Sequence, residues 1–325
     1  MKLLRGVQHF SVFDKGVVAT IGNFDGVHLG HQNLIQALKR QANALKLPLV
    51  LILFEPQPRE YFQNGSAPAR LSSLREKLDV LRECQVDYVY CVKFDNILAQ
   101  TTATDFARNY LFSMLNVKHL LVGDDFRFGK NREGDVSLLK RLSSEYACEV
   151  QVYTDFCINE ERISSTKIRI ALQTGNLETA AKYLGRPYSI CGRVMHGDKR
   201  GRQWGIPTAN IRLQRLSVPL QGVFAVQVRI THQQTVYGVA NVGKRPTVDG
   251  TKNILEVHLF DFDQFIYGEL LQVIFLHKLR DEVKFTSVDA LIMQINSDIA
   301  AAKAFVNKLT TSRNGVQLWQ NIKIH

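Results

Sequence analysis

Cysteine is scarce in this 325-residue chain and never closely paired: Cys84, Cys91, Cys148, Cys157 and Cys191 are five in number, with no CxxC spacing among them. An odd count without close pairs fits neither a disulfide framework nor a tetrahedral zinc site, so reduced thiols are expected. Long apolar runs are missing as well. The longest uncharged apolar stretch, Leu47 to Phe54, falls far short of the ~20 residues needed to span a bilayer. Met1 to Phe10 carries two basic residues with no continuous apolar segment after them. Neither an export signal nor a membrane anchor is expected, and the reading is a cytoplasmic protein without a membrane partner.

Hydrophobic residues make up 45% of the chain and charged residues 22%, which supplies enough apolar surface to offset the entropy of ordering it. The length suits about two domains, each with its own core. The formal net charge is +11 and is unevenly placed: residues 1–185 hold 23 basic and 20 acidic side chains, residues 186–325 hold 18 and 10. Such a balance favours phosphate-bearing partners in general and chooses none of them.

Val17 to Phe24 reads as a short buried strand. Leu34, Ile35, Leu38, Ala42 and Leu45 then recur at helical spacing, and the apolar run Leu49 to Phe54 closes a βαβ unit. Strand candidates at Asp87 to Val92 and His119 to Val122, with a helix at Ala103 to Leu115 between them, continue the alternation. A parallel, Rossmann-like sheet is the expected N-terminal fold. After Gly185-Arg186-Pro187 the texture changes to Gly222 to Ile230, Val236 to Val242, Ile254 to Phe260 and Leu270 to Leu276, short strands with turn signals between them. These predict an antiparallel β-barrel, with Val288, Leu291, Ile292, Ile295 and Ile299 marking a C-terminal helix that covers it. The expected domains are 1–185 and 186–310, followed by a tail, 311–325.

In Gly22-Asn23-Phe24-Asp25-Gly26-Val27-His28-Leu29-Gly30-His31 a strand runs into a glycine-punctuated turn, and two histidines arrive where the next helix starts. Backbone N–H groups and the positive end of a helix favour phosphate there, and the imidazoles can donate to phosphate oxygens. A nucleotidyl transfer needs such positioned donors and no protein nucleophile. Ile163-Ser164-Ser165-Thr166-Lys167-Ile168-Arg169 opens another helix, with three hydroxyl residues at its cap and two cations in its first turns, a second anion-binding end.

Gly192 to Asn210 spaces Gly192, Gly197, Gly201 and Gly205 along a loop that ends in Pro207-Thr208-Ala209-Asn210. Glycines permit close approach of the backbone to phosphates, and Thr208 and Asn210 offer the hard oxygens that Mg²⁺ accepts beside phosphate and water. A turn-rich barrel connection explains the glycines alone, and no Walker sequence is present. On Leu255-Glu256-Val257-His258-Leu259, alternation puts the three apolar residues on one face and Glu256 and His258 on the other. A carboxylate so placed can take the proton of a hydroxyl attacking a γ-phosphate, and it is equally a solvent-facing strand residue.

The N-terminal motifs, together with Phe54-Glu55-Pro56-Gln57-Pro58 and Gly123-Asp124-Asp125-Phe126-Arg127-Phe128-Gly129 in the same order, resemble the adenylyltransferase half of the bacterial bifunctional riboflavin kinase/FMN adenylyltransferase (FAD synthetase) family. The Pro-Thr-Ala-Asn segment with Glu256 resembles its riboflavin kinase half, and the likeness runs over about residues 5–308. It implies that Gly22, Asn23, Phe24, Asp25, His28, His31, Ser164, Ser165, Thr166 and Arg169 bind ATP for adenylyl transfer, with Asp125 touching nucleotide or flavin. For the kinase it implies Gly197, Lys199, Gly201, Gly205, Thr208 and Asn210 as the ATP loop, Thr208 and Asn210 as holders of Mg²⁺, Glu256 as catalytic base and Arg280 beside the flavin. His28, His31 and Glu256 are then the catalytic residues. ATP is co-substrate, and riboflavin, FMN and FAD are substrates and products.

Two other readings stay open on the sequence. The His-x-x-His turn also suits a nucleotidyltransferase of another small phosphorylated metabolite, fused to a barrel that only binds. The basic C-terminal part also suits nucleic acid, but most Phe and Tyr fall in strand-like runs that core packing explains, so no nucleic-acid partner is expected. His196 and the remaining histidines are taken as structural or surface residues, and the oligomeric state is not readable.

Overall fold

The computed structural model describes residues 1–6, 13–63, 66–154, 157–158, 161–197, 201, 204–230, 235–247 and 250–311. The chain divides into two compact units, Met1–Pro68 with Lys77–Ile163, and Ala69–Glu76 with the chain from Ser164 onward. Among the described residues no helix is long and apolar enough to cross a membrane.

In the first unit the strands are β1 (Lys2–Leu4), β2 (Val17–Ile21), β3 (Leu49–Glu55), β4 (Tyr88–Lys93), β5 (Val117–Gly123) and β6 (Glu149–Tyr153). All their pairings are parallel, in the order β1-β4-β3-β2-β5-β6. Parallel strands covered on both faces read as continuous apolar runs, and β2 is buried at all five positions. Helix α1 (Leu29–Leu45) crosses over from β2 to β3 and buries Leu34, Ile35, Leu38 and Ala42 as expected, while Leu45 is exposed. Further along are α2 (Pro58–Gln63), α3 (Leu74–Glu83), α4 (Asn96–Gln100), α5 (Ala103–Phe106) and α6 (Val136–Ser143). The expected helix at 103–115 is α-helical only over α5 and widens to a π-helix over Ala107–Met114. A small antiparallel ribbon joins β7 (Cys157–Ile158) to β8 (Glu161–Arg162).

In the second unit α7 (Ser165–Gln173) and α8 (Leu177–Leu184) precede a closed barrel of β9 (Ser189–Met195), β10 (Ala209–Ile211), β11 (Gly222–Ile230), β12 (Thr235–Thr247), β13 (Gly250–Leu259) and β14 (Leu270–Arg280). Its strand pairs are all antiparallel, in the order β10-β13-β12-β11-β14-β9. Phe224 and Phe275, fully buried, meet edge to face at 5.3 Å in its core. Gly222, at φ +120°, has no Cβ to drive into the Arg280 carbonyl 2.5 Å from that position. Glu76 and Arg215 form a buried ion pair in which Glu76 Oε1 also accepts from the Cys191 amide at 2.6 Å and Arg215 donates to the Leu71 carbonyl at 3.1 Å. Those bonds fasten the segment 69–76 to the barrel.

The C-terminal helix, Val288–Thr311, covers the barrel as expected, packing Ala302, Ile299 and Phe305 against Val223, Ala225, Val239 and Phe260. Its most buried side chains, however, are Asp298, Ala302 and Val306. Of the expected stripe, Val288 is exposed, while Leu291, Ile292 and Ile295 are half-buried.

Candidate functional sites

In the first unit, strand β2 lies between β3 and β5, with α1 leading to one side, so the order of the sheet reverses at that strand. Ligands of open parallel sheets bind at such a switch point, beyond the carboxyl ends of the strands. There the chain continues from β2 into the loop Gly22–His28, and Gly123-Asp124-Asp125 lies at the end of β5. Phe24 and Val27 hold positive φ values of 46° and 39°, an uncommon backbone for non-glycine residues, and both side chains are buried, which holds the turn in place.

His28 is the N-cap of α1, and its Nδ1 accepts from the His31 amide at 3.4 Å. In a neutral ring an accepting Nδ1 puts the proton on Nε2, and a ring N–H is a group of the kind that donates to anions. The His28 and His31 rings stack with centroids 3.7 Å apart, and Phe24 lies 4.9 Å from His31. A Cβ at Gly30 would stand 3.2 Å from the His28 ring, so glycine there leaves room for that stack. Asp25 is buried at 3% exposure in the same turn. Asp125 is exposed, 4.0 Å from the Arg162 guanidinium.

Lys77, which the sequence pattern does not single out, and Gln57, from the motif Phe54 to Pro58, are two further buried polar groups of this unit. Lys77, 1% exposed on α3, donates from Nζ to the Asn23 carbonyl and so ties the turn down with a buried cation. Gln57, at the end of β3, is buried with no hydrogen-bond partner for Nε2 among the described residues. Phe54 and Phe62 each meet Phe94 edge-on, with Phe62 63% exposed. A lysine on an amphipathic helix reads as solvated in sequence, and only the fold reveals the burial.

Ser164, Ser165, Thr166 and Arg169 lie in the second unit. Ser164 caps α7, accepting from the Lys167 amide at 3.3 Å, as its hydroxyl predicts. Arg169 donates through Nε to the Ala69 carbonyl at 2.6 Å.

In the barrel, β13 buries Leu255, Val257 and Leu259 and leaves Glu256 and His258 half-buried on the other face. Glu256 stands opposite Asn210 of β10 on one side and Asn241 of β12 on the other. Directly opposed residues share a face with Cβ atoms ~5 Å apart. Thr208 lies two residues before Asn210. A Cβ at Gly197 would overlap the Asn210 amide, and one at Gly201 would run into the Ile206 carbonyl and come within 3.6 Å of Thr208 Oγ1. Gly197, Gly201, Thr208, Asn210 and Glu256 are therefore brought together. Gly205 has φ +73° and open space where a Cβ would be, so its role there is the turn. Lys199 falls outside the described residues.

His258 Nδ1 lies 2.8 Å from the Pro207 carbonyl, which can only accept, so Nδ1 carries the proton and anchors the loop bearing Thr208. His196 stacks on Tyr267 at 4.1 Å beside the exposed Phe265, a pairing of residues far apart in the chain. Arg280, at the end of β14, pairs with Asp298 of the C-terminal helix.

The donors near Glu256 are hydroxyl and amide oxygens, which suit a hard cation that keeps most of its ligands as phosphate and water. Among the described residues no three His, Cys, Asp or Glu side chains gather into a metal cage. Burial pushes the Cys148 thiol up to about 12, which keeps it protonated and inert as a nucleophile.

Residues 11–167 match the family model for FAD synthetase, and residues 184–306 match that for riboflavin kinase. A bifunctional riboflavin kinase/FMN adenylyltransferase of Haemophilus influenzae is 48% identical over 307 residues, covering 94% of this chain and all of the relative. The protein of the same name from Escherichia coli K12 is 48% identical over 306 residues, 94% of this chain and 98% of its own. A solved structure from Streptococcus pneumoniae described as a macrolide-efflux protein superposes with a TM-score of 0.75 at 33% identity, over 91% of this chain and 97% of that one. With such relatives matched end to end, the chain belongs to the bifunctional riboflavin kinase/FMN adenylyltransferase family.

Proposed function

We propose that this chain makes FAD from riboflavin in two steps, on two separate sites. The barrel phosphorylates riboflavin with ATP to give FMN, and the N-terminal region adenylylates FMN with a second ATP, releasing pyrophosphate. The observation that carries the reading is the opposition of Glu256 and Asn210 across β13 and β10, in a chain that also starts a helix on His28 and His31.

In the kinase step the riboflavin 5′-hydroxyl forms the new O–P bond to the γ-phosphorus while the bond to the β-phosphate oxygen breaks, and Glu256 takes the hydroxyl proton. Gly197, Lys199, Gly201 and Gly205 form the loop over the nucleotide phosphates. Thr208 and Asn210 would hold Mg²⁺, which when bound with ATP neutralises charge on the transferring phosphoryl group. Arg280 serves the flavin.

In the adenylyl transfer an FMN phosphate oxygen attacks the α-phosphorus of ATP and pyrophosphate leaves. Gly22, Asn23, Phe24 and Asp25 shape the nucleotide turn, and His28 and His31 donate to phosphate oxygens where charge develops. Ser164, Ser165, Thr166 and Arg169 are further triphosphate ligands, and Asp125 contacts nucleotide or flavin. Phe62, exposed beside Phe54 and Phe94, suits a planar ring such as flavin. The functional domains are residues 1–185 and 186–310, with 311–325 as a tail. The enzyme works in the cytoplasm, on free flavins and ATP, with no nucleic acid.

A chromatographic time course of the purified chain with riboflavin, ATP and Mg²⁺ tests this. FMN should rise and then convert to FAD. FMN accumulating alone would refute the second step, and no product would turn the search to another phosphorylated metabolite.

A further inference from the structure

The inward stripe of the C-terminal helix runs through the half-buried Leu291, Ile295 and Ile299 to the buried Ala302 and Val306, and at one turn it carries a buried charge: Asp298, 5% exposed. An apolar residue at that place would bury as well, and a buried carboxylate is costly unless its lone pairs are filled. They are filled by two side chains. Arg280 Nε lies 2.9 Å from Oδ1 and 3.1 Å from Oδ2, Arg280 Nη2 lies 2.8 Å from Oδ2, and Gln294 Nε2 donates to Oδ1 at 2.9 Å.

A guanidinium has five N–H groups in a rigid plane. Nε and one N–H of Nη2 are spent on Asp298, and one N–H of Nη1 goes to the Asp281 carbonyl at 2.9 Å. One N–H on each terminal nitrogen is left without a partner among the described residues. The Phe285 ring stands 5.7 Å from the guanidinium carbon and limits its tilt, while the side chain keeps 20% of its surface in solvent. Arg280 is thus gripped along one edge, and each terminal nitrogen keeps one N–H without a partner among the described residues.

We propose that Asp298, backed by Gln294, is a positioning residue of the kinase reaction: it holds Arg280 in one rotamer so that the two remaining N–H groups meet acceptor oxygens of the bound flavin. This rests on the reading that Arg280 serves the flavin. The acceptors are either carbonyl oxygens of the ring, present in riboflavin and FMN alike, or phosphate oxygens of FMN alone.

The test uses the full chain with Arg280→Met, Asp298→Asn and Asp298→Glu. Measured are the kinase KM values for riboflavin and ATP, kcat, inhibition of the kinase by FMN, and adenylylation of supplied FMN as a control from the same polypeptide. Asp298→Asn should weaken inhibition by FMN about threefold to tenfold, the equivalent of one imperfectly held hydrogen bond, and should raise the riboflavin KM by as much where the acceptors are ring oxygens. The ATP KM and FMN adenylylation should not move, and Asp298→Glu should restore part of the loss. Weaker FMN inhibition with an unchanged riboflavin KM assigns the contact to the phosphate, and weakening of both assigns it to the ring. If Arg280→Met leaves both flavin readouts unchanged, the flavin assignment of Arg280 is wrong. If Arg280→Met weakens flavin binding and Asp298→Asn does not, or if Asp298→Asn lowers every kinetic constant together without rescue by Glu, positioning is overturned. Should Asp298→Asn fail to fold, Gln294→Leu, which removes only the outer hydrogen bond, must still raise the same flavin readout.

Discussion

The turn Gly22–His28 presents its donors from the start of a helix, whereas the barrel presents its groups from paired strands and a glycine-relieved loop. The first arrangement is built from a helix end and imidazole, both suited to stabilising negative charge that develops on phosphate. The second holds a carboxylate, which can remove a proton. On the proposed assignment of the two sites, the difference follows from the nucleophiles: the phosphate oxygen of FMN needs no deprotonation, while the hydroxyl of riboflavin does.

The sharpest way to break this comparison is Glu256→Gln, which should lower FMN formation by about 10²–10⁴-fold while adenylylation of supplied FMN continues. Equal loss of both reactions in a folded protein would remove the distinction. Next in size, His31→Ala should lower FAD formation by about 10²–10³-fold and spare the kinase, as expected for a donor to developing charge. His28→Asn sharpens the result, because Asn keeps an N-cap acceptor but lacks the ring; retained FAD synthesis would mean that the helix cap, and not the imidazole, is what matters.

Gly197→Ala should push a methyl group onto the Asn210 amide and raise the kinase KM for ATP about tenfold, read from initial rates at saturating riboflavin. The smallest effect belongs to His258→Phe. Losing the bond to the Pro207 carbonyl should cost about 0.5–1.5 kcal/mol, a few-fold in the kinase kcat/KM for ATP, with the adenylyl transfer untouched.

Much of the scaffold was legible because burial imposes periodicity. The expected bounds of β11, Gly222 to Ile230, are those observed, and the alternation on Leu255 to Leu259 places Glu256 on the half-buried face. Strand β10, three residues long, and strand β9, with Gly192 and Arg193 inside its run, carry too little pattern to be read. The π-helical turn at Ala107–Met114 has the same apolar residues as an α-helix and leaves no mark in spacing. Motif residues are legible where the chemistry demands unusual types close together, as in the glycine and histidine turn. Lys77 and Asp298 are not, since each is a charged residue on a helix whose burial depends on a distant partner, the Asn23 carbonyl in one case and Arg280 in the other. His196 reads in sequence as a structural or surface residue, and its stacking on Tyr267 joins segments about seventy residues apart.

The two-sided pairing of Glu256, with Asn210 on one neighbour and Asn241 on the other, also limits how this barrel can change length. In a closed barrel, β13 has no edge along which to slide. Gaining or losing one residue before Glu256 would turn its carboxylate into the apolar interior and bring Leu255 or Val257 out in its place. Two residues would restore the facing but displace the group by ~6.6 Å along the strand. With Glu256 as the proposed base, length variants within the β12–β13 pair should therefore abolish the kinase activity, while those outside it should be tolerated.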